Sequence, residues 1–219
     1  MTFHIITLFP EVLKPYLTES VVGKAQKRGI VKVKYYDLRK FSKDKKRFQV
    51  DDKPYGGGPG MVLGANPIIK ALEKALRHQT KKRNKILLMS ASGKEFNNKE
   101  ARRLSRYDNV VIIAGRYEGV DERVKKIFRM EEVSVGPYVL TGGEVPAMAV
   151  VDAITRQTKG ALGKEESIEE NRLGVGVPVY TRPEVIEYKN KKYRVPKALT
   201  SGNHAEIEKW RKAHRKRAK

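Results

Sequence analysis

Three glycine-rich turns in the middle of the chain have the composition of ligand-binding segments. Glycine has no Cβ, so its backbone can approach a ligand closely and adopt positive φ without a clash. Several such turns at one edge of a sheet would form a cavity walled by bare N–H and C=O groups. The Gly-x-Gly-x-x-Gly and Gly-x-x-x-x-Gly-Lys-Ser/Thr fingerprints are absent, which excludes the two common nucleotide-binding types. The turns span residues 55–61, 115–119 and 136–143.

The 219-residue chain is strongly basic, with 47 Lys and Arg against 25 Asp and Glu and a formal net charge of +22. Such a charge favours a nucleic acid as the partner. Residues 24–53 carry 12 Lys and Arg against 4 Asp, and residues 186–219 carry 12 against 3 Glu. Residues 131–155, by contrast, contain no Lys or Arg. This distribution suits a protein that binds phosphates at a rim and does chemistry on an uncharged base in the centre.

The absence of cysteine narrows the chemistry. It excludes disulfides, cysteine zinc sites and RNA methylation through a covalent cysteine adduct.

No apolar run approaches the ~18 residues of a membrane span. Residues 1–10 have neither a basic n-region nor a cleavage site, so we interpret them as a first strand rather than a signal peptide. We therefore expect a cytoplasmic protein without membrane association.

Short apolar runs alternate with amphipathic runs, the pattern of an α/β fold with a largely parallel sheet. The pattern predicts strands over residues 4–8, 31–36, 86–89, 110–114 and 133–135. It predicts helices over residues 11–27, 67–77, 97–105, 121–128 and 144–157. No internal repeat is present.

A change of composition near residue 160 predicts three parts. Residues 1–160 form the α/β domain, residues 161–179 a linker rich in Gly, Glu and Val, and residues 180–219 a small basic domain. Within the last part we predict a turn at 181–184, a strand over 193–195 and a terminal helix starting near 203–205. Ser201 or Asn203 is the expected cap of that helix.

Six motifs occur in an order that is specific to one family. They are Leu8-Phe9-Pro10-Glu11, Asp51-Asp52-Lys53-Pro54-Tyr55-Gly56-Gly57-Gly58-Pro59-Gly60-Met61, Gly115-Arg116-Tyr117-Glu118-Gly119-Val120-Asp121-Glu122-Arg123, Tyr138-Val139-Leu140-Thr141-Gly142-Gly143-Glu144, Tyr180-Thr181-Arg182-Pro183-Glu184-Val185 and Leu199-Thr200-Ser201-Gly202-Asn203-His204-Ala205. On these motifs the chain resembles the bacterial tRNA (guanine-N1)-methyltransferases of the TrmD type, nearly end to end.

The resemblance implies a fold and a reaction. The fold is that of the SPOUT superfamily, an α/β sheet with a C-terminal trefoil knot, followed by a small, mainly helical domain that binds tRNA. The protein would be a homodimer with two S-adenosyl-L-methionine (SAM) sites at the interface. It would methylate guanine N1 at position 37 of tRNA, 3′ to the anticodon, when base 36 is also guanine. Dependence on Mg²⁺ also goes with the family.

The resemblance assigns the cofactor site to two of the glycine turns. Backbone groups there would read the edge of adenine, and Tyr138 and Leu140 would supply apolar walls. An ordinary βα turn is the alternative for any single glycine turn. Proline at position 137 departs from the family, in which Asp commonly follows the preceding glycine, and it removes one backbone donor. The cofactor-binding candidates are Gly115, Val135, Gly136, Pro137, Tyr138, Val139, Leu140 and Gly143.

Arg156 lies near the end of the helix predicted over residues 144–157, where the family has an arginine that contacts guanine O6. Loss of the N1 proton moves negative charge onto O6, and a cation placed there stabilises that charge. Without the resemblance, a solvated arginine near the negative end of the helix dipole is the favoured interpretation.

The general base falls in the linker. A carboxylate is the natural acceptor of the guanine N1 proton. Counting without gaps from Gly163 places Asn171 at the family's aspartate position, and asparagine cannot accept a proton. The following segment is shorter than in the family, so a gap would bring Glu170 or Glu169 into the site. We predict Glu170 as the base, and a solvated linker is the alternative for both glutamates.

The remaining candidates concern the substrate and the metal. Glu118 is a candidate ligand of Mg²⁺ as well as a substrate contact. Asp51 and Asp52 precede the first glycine turn and are candidates to orient the base or the arginine, whereas an isolated pair of this kind more often forms a turn. His204 has the position of a structural residue at a helix start. The substrate-binding candidates are Asp52, Gly58, Glu118, Ser201 and His204.

The leading interpretation is an active SAM-dependent tRNA methyltransferase. A second hypothesis is a catalytically impaired tRNA-binding homologue that keeps the fold but has lost its base at Asn171. A third is a basic ribosomal assembly factor. The intact glycine turns and Arg156 favour the enzyme, because a pure binder has no need of them.

Overall fold

The computed structural model describes residues 1–79, 82–162 and 177–214. The chain divides into two compact units, Met1–Leu162 and Gly163–Lys219. The candidate bases Glu169 and Glu170, together with Asn171, lie outside the described residues.

The first unit contains a five-stranded sheet with the strand order β2-β1-β6-β5-β7. Every neighbouring pair in it is parallel, which confirms the predicted α/β fold. Two further short strands, β3 and β4, form a separate antiparallel pair. The strands are β1 (Thr2–Thr7), β2 (Lys32–Asp37), β3 (Asp51–Asp52), β4 (Val62–Leu63), β5 (Asn84–Glu95), β6 (Asn109–Ile113) and β7 (Glu131–Ser134).

Helices cover both faces of this sheet, so its central strand β6 is buried along its whole length. Side chains such as Ile5 and Ile112 join a core with α1, α2, α4 and α6. Side chains such as Ile6 and Ile113 join a second core with α3 and α5. Burial on both faces is typical of parallel sheets. The helices are α1 (Pro10–Leu17), α2 (Ser20–Lys27), α3 (Ala65–Leu76), α4 (Asn98–Leu104), α5 (Glu122–Ile127) and α6 (Glu144–Arg156).

The single helix predicted over residues 11–27 is wrong, because α1 and α2 are separate helices. Ser20 at the junction has a φ of 54°, outside the helical region. Thr18 ends α1, with its backbone N–H and its Oγ1 both donating to the carbonyl of Lys14 at 3.0 and 2.9 Å. A Cβ at Gly23 would collide with the carbonyl oxygen of Thr18, so glycine permits this tight turn.

Strand β5 continues well beyond the predicted residues 86–89, because it contains a bulge. Val133 of β7 pairs with both Met89 and Lys94, which leaves the residues between them outside the ladder. A Cβ at Gly93 would collide with the backbone of β7. Bulges of this kind redirect side chains and are common next to functional sites.

The edge strands carry charge. On β2, Lys32 and Lys34 are exposed and Val33 between them is half-buried. On β7, at the opposite edge, Glu131 is paired with Lys85 and Arg103, both at 2.7 Å.

The second unit contains a β-hairpin and two helices within residues 177–214. Lys189 and Asn190 join the two strands with φ values of 48° and 61°, as in a two-residue hairpin turn. Asn203 caps the last helix, accepting from Ala205 N at 3.0 Å. None of the helices in the described ranges is long and apolar enough to cross a membrane. The elements are β8 (Val185–Tyr188), β9 (Lys191–Arg194), α7 (Lys197–Thr200) and α8 (His204–Ala213).

Candidate active site

A cavity of about 500 Å³ lies at the bulge of β5, at the C-terminal part of β7 and beyond the C-terminal end of β6. Open parallel sheets bind ligands at this edge, and the volume is within the range of small-molecule sites. Three segments wall the cavity: the β5 bulge, the turn after β6 and the segment after β7. Of the cofactor candidates, it is lined by Gly115, Val135, Tyr138, Val139, Leu140 and Gly143.

The second and third glycine turns are in direct contact at this cavity. Gly143 N donates to Gly115 O at 2.8 Å. A Cβ at Gly143 would lie 2.7 Å from both Ala114 Cα and Gly115 N. The φ of Gly143 is −81°, so close approach rather than backbone conformation requires glycine here.

Gly136 and Pro137 belong to the same segment but are not among the residues that line the cavity. The Ser134 hydroxyl donates to Gly136 O at 2.8 Å. The ring of Tyr138 covers Gly136 so closely that a Cβ there would collide with it. Val139 is 85% exposed, so this wall of the cavity is apolar and open to solvent.

Glu118 lines the same cavity and contacts the first glycine turn, whose own residues do not line it. Its N–H donates to Met61 O at 3.0 Å. Gly60 has a φ of 90°, and a Cβ there would lie 2.7 Å from Glu118 Oε1. Asp52 instead lines a neighbouring cavity and accepts from Lys53 N at 2.8 Å, and Gly58 is exposed.

The β5 bulge and α5 supply a polar wall that the sequence analysis missed. Lys125 Nζ donates to Glu132 Oε1 at 2.9 Å. This bond is the largest of the effects on the pKa of Glu132 and lowers it below its usual value. A hydrogen bond from Ser90 also lowers the pKa, whereas burial raises it. Ser90, Ala91 and Ser92 line the cavity beside this pair. Gly93, an isolated glycine in an apolar strand pattern, was the available signal for the bulge.

Arg156 is separated from the cavity within one chain. It is the last residue of the 13-residue helix α6, whose first residue directly follows Gly143. At 1.5 Å per residue the two ends of α6 are roughly 18 Å apart. Arg156 is accordingly absent from the lining of the cavity.

The remaining candidates make local contacts in the second unit. Ser201 Oγ donates to Ala198 O at 3.1 Å and accepts from Asn203 N at 3.2 Å. His204 is the exposed first residue of α8. Among the described residues, no three His, Asp or Glu side chains form a group that could hold a metal ion.

A family model described as tRNA (Guanine-1)-methyltransferase TrmD matches residues 1–219. The chain belongs to this family. The resemblance drawn from the six motifs is therefore confirmed, and the family match extends through both units.

Curated relatives and a solved structure agree with this membership. A tRNA (guanine-N(1)-)-methyltransferase from Dictyoglomus turgidum is 46% identical over 215 residues, covering 97% of this chain and 84% of that protein. One from Citrifermentans bemidjiense is 45% identical over 220 residues, covering 99% and 86%. The crystal structure of tRNA (m1G37) methyltransferase from Aquifex aeolicus has a TM-score of 0.80 and 41% identity, covering 98% of this chain and 88% of that chain.

Proposed function

We propose that this protein is a SAM-dependent methyltransferase that acts on guanine N1 at position 37 of tRNA. The observation that carries the proposal is that the second and third glycine turns, from two family motifs, line one cavity at the edge of a parallel sheet where ligands bind, and that the first glycine turn contacts the second one there. The names of the curated relatives support the reaction, and the similarity to the tRNA (m1G37) methyltransferase of Aquifex aeolicus supports the position on tRNA.

The cavity fits SAM in its chemistry as well as its size. Gly115 and Gly143 leave backbone bare where a Cβ would occupy space, and Tyr138 and Leu140 provide apolar surface. Glu118 adds a carboxylate that suits a cationic ligand, whereas Glu132 is paired with Lys125. When bound, SAM supplies an electrophilic methyl group.

The other catalytic groups act on the guanine. A carboxylate, which we assign to Glu170, accepts the N1 proton and makes N1 nucleophilic. Arg156 donates to O6 and stabilises the negative charge that develops there. Glu118 remains the candidate ligand of Mg²⁺. Mg²⁺ commonly binds through one or two carboxylates plus water and phosphate oxygens, so a single carboxylate is compatible with this role.

A homodimer would complete the site. Because Arg156 and the cavity are at opposite ends of α6, a second copy of the chain is the natural source of the arginine. Helices α1 and α6 offer an apolar surface for that copy. Its exposed side chains include Val12 and Tyr16, each 51% exposed, and Val145, which is 56% exposed. Sedimentation equilibrium tests this point: we expect a dimer for the wild type and a monomer for Val12→Glu.

The proposal includes a SPOUT fold with a trefoil knot and a basic C-terminal domain that binds tRNA in the cytoplasm. The similarity to the Aquifex aeolicus structure supports the fold. The path of the chain also supports the knot. After edge strand β7 the chain returns to the middle of the sheet, where Gly143 packs against Gly115 just beyond the end of central strand β6.

The test is methyl transfer to a defined RNA. The purified protein is incubated with labelled SAM and an unmodified tRNA that has guanine at positions 36 and 37, and the nucleosides are then analysed. We expect labelled 1-methylguanosine, and none from a matched tRNA with adenine at position 37. Binding of SAM and tRNA without 1-methylguanosine would overturn the proposal in favour of the impaired homologue.

A further inference from the structure

Glu144 is a buried carboxylate directly behind the cavity. It is the first residue of α6 and is 2% exposed. Thr7 Oγ1, at the end of β1, donates to Oε1 at 2.8 Å. Arg116 Nε, from the turn after β6, donates to Oε2 at 2.9 Å. A carboxylate can remain buried when paired and hydrogen-bonded in this way, and removing one partner of such a pair is costly.

Arg116 connects this carboxylate to the cavity, which the arginine itself lines. Its Nη1 donates to Thr141 O at 3.3 Å, in the third glycine turn. Its guanidinium carbon lies 4.7 Å from the centre of the Phe9 ring, and that of Arg39 lies 4.9 Å from the same ring. Arg116 therefore joins the start of α1, the second glycine turn and the third glycine turn.

The glycines before Glu144 make room for the ion pair. A Cβ at Gly142 would collide with Arg116 Nε and would lie 2.7 Å from Glu144 Oε2. Gly143 at the same time packs on Gly115 through its N–H. Two glycines followed by a glutamate thus place the ion pair immediately under the cavity wall.

We propose that Glu144 is a positioning residue for the cofactor, acting through Arg116. The ion pair holds the turn at Thr141–Gly143 against Gly115 and so fixes the width of the cavity. Glu144 itself does not line the cavity. The inference rests on the proposed function in one respect, namely that the cavity binds SAM. Without the ion pair the turn samples wider positions, and SAM must order it on binding.

The test compares two buried carboxylates. In Glu144→Gln we expect the Kd for SAM, measured by calorimetry without tRNA, to rise about tenfold, since charge-assisted bonds are the strong ones. The Kd for tRNA should remain within about twofold of wild type, since neither Glu144 nor Arg116 belongs to the basic blocks of residues 24–53 and 186–219. The control is Glu100→Gln in α4, whose carboxylate accepts from Lys94 and Arg103, both at 2.8 Å, and does not line the cavity. The control should lower the free energy of unfolding and leave the Kd for SAM unchanged.

A second variant keeps the proposal testable if Glu144→Gln does not fold. Arg116→Lys retains the positive charge but loses the second bond to Thr141, so it should weaken SAM binding by a smaller factor. If both fold, the double variant should be less impaired than the sum of the two, because the residues act as one unit. An unchanged Kd for SAM in both variants, or an equal rise in Glu100→Gln, would overturn the positioning role. A wild-type protein without affinity for SAM would overturn the proposed function itself.

Discussion

At the residue scale, the two ends of α6 carry charged groups with different tasks. Glu144 at the start is buried and neutralised by an arginine of the same unit. Arg156 at the end lies in the last turn, where the helix dipole favours a cation. The helix thus separates the group that shapes the cavity from the group proposed to act on the guanine.

Replacing Arg156 should affect turnover far more than cofactor binding. We expect Arg156→Ala to lower the single-turnover rate by roughly 10²–10³, the usual effect of removing one donor to a developing oxyanion. The Kd for SAM should stay near wild type. Arg129→Ala, which removes an exposed arginine of the same unit, is the control. An equal loss of SAM affinity in Arg156→Ala would instead assign this residue to the cofactor site.

The proposed base allows a test at Glu170. Glu170→Gln should cut the single-turnover rate steeply and remove most of its pH dependence, because only a carboxylate can accept the proton. SAM and tRNA affinities should be nearly unchanged, and Asn171→Ala should have a much smaller effect. A harmless Glu170→Gln with a damaging Glu169→Gln would shift the register by one residue. A strong gain of rate in Asn171→Asp would show that the ungapped register is correct.

At the scale of elements, periodicity located the five sheet strands because each contributes apolar side chains that belong to a core or pack against one. It did not locate the break between α1 and α2, since that break depends on how closely Gly23 approaches Thr18. It also missed the wall made by Ser90 and Lys125, which a bulge and a neighbouring helix bring together. Contacts between segments distant in sequence have no local signal, whereas the glycine turns are visible because each turn is continuous in sequence.

Strand β1 carries a titratable group away from the cavity. His4 is 1% exposed and is hydrogen-bonded to Tyr36 OH at 2.9 Å and to Asn109 Oδ1 at 3.2 Å. Burial, the largest effect, lowers the pKa of His4 below its ordinary value of 6.5. The bond to Asn109 acts against this shift, and the nearby Lys34 and Lys82 reinforce it.

This histidine should make the fold sensitive to mild acid. Because its pKa is lower in the folded than in the unfolded chain, the unfolded chain binds more protons below pH 6.5. The free energy of unfolding, measured by urea titration, should therefore be fully present above that pH and decline as the pH falls below it. His4→Gln should flatten the decline, whereas replacing the exposed His78 should not. An unaltered decline in His4→Gln would assign the acid sensitivity to other groups.

At the scale of the whole molecule, charge is divided between the two proposed ligands. Residues 24–53 and 186–219 hold 24 of the 47 Lys and Arg, whereas residues 131–155, which contribute to the cavity, have neither Lys nor Arg. Affinity for RNA and affinity for the cofactor should therefore respond differently to ionic strength.

The logarithm of the association constant for tRNA should fall linearly with the logarithm of the salt concentration. Each phosphate contact contributes a slope of about −0.7 to −0.9 in log affinity through release of counterions. We expect a smaller slope, by the contribution of one phosphate contact, in each of three single variants, Lys24→Gln, Lys27→Gln and Lys209→Gln. The control is Lys126→Gln in α5, outside both basic blocks, which should leave it unchanged. An affinity for tRNA independent of salt would contradict phosphate binding.

The exposed lysines of edge strand β2 have a second consequence, for solubility. An open edge presents unpaired N–H and C=O groups to other chains, and lysine side chains on it discourage strand-to-strand association. Lys32 and Lys34 are placed to do this while also belonging to the basic block of residues 24–53. Neutralising both to study RNA binding would also expose the edge, and such a variant should aggregate on concentration. Bound tRNA, by covering the basic surface, would then act as a solubilising agent for the enzyme that modifies it.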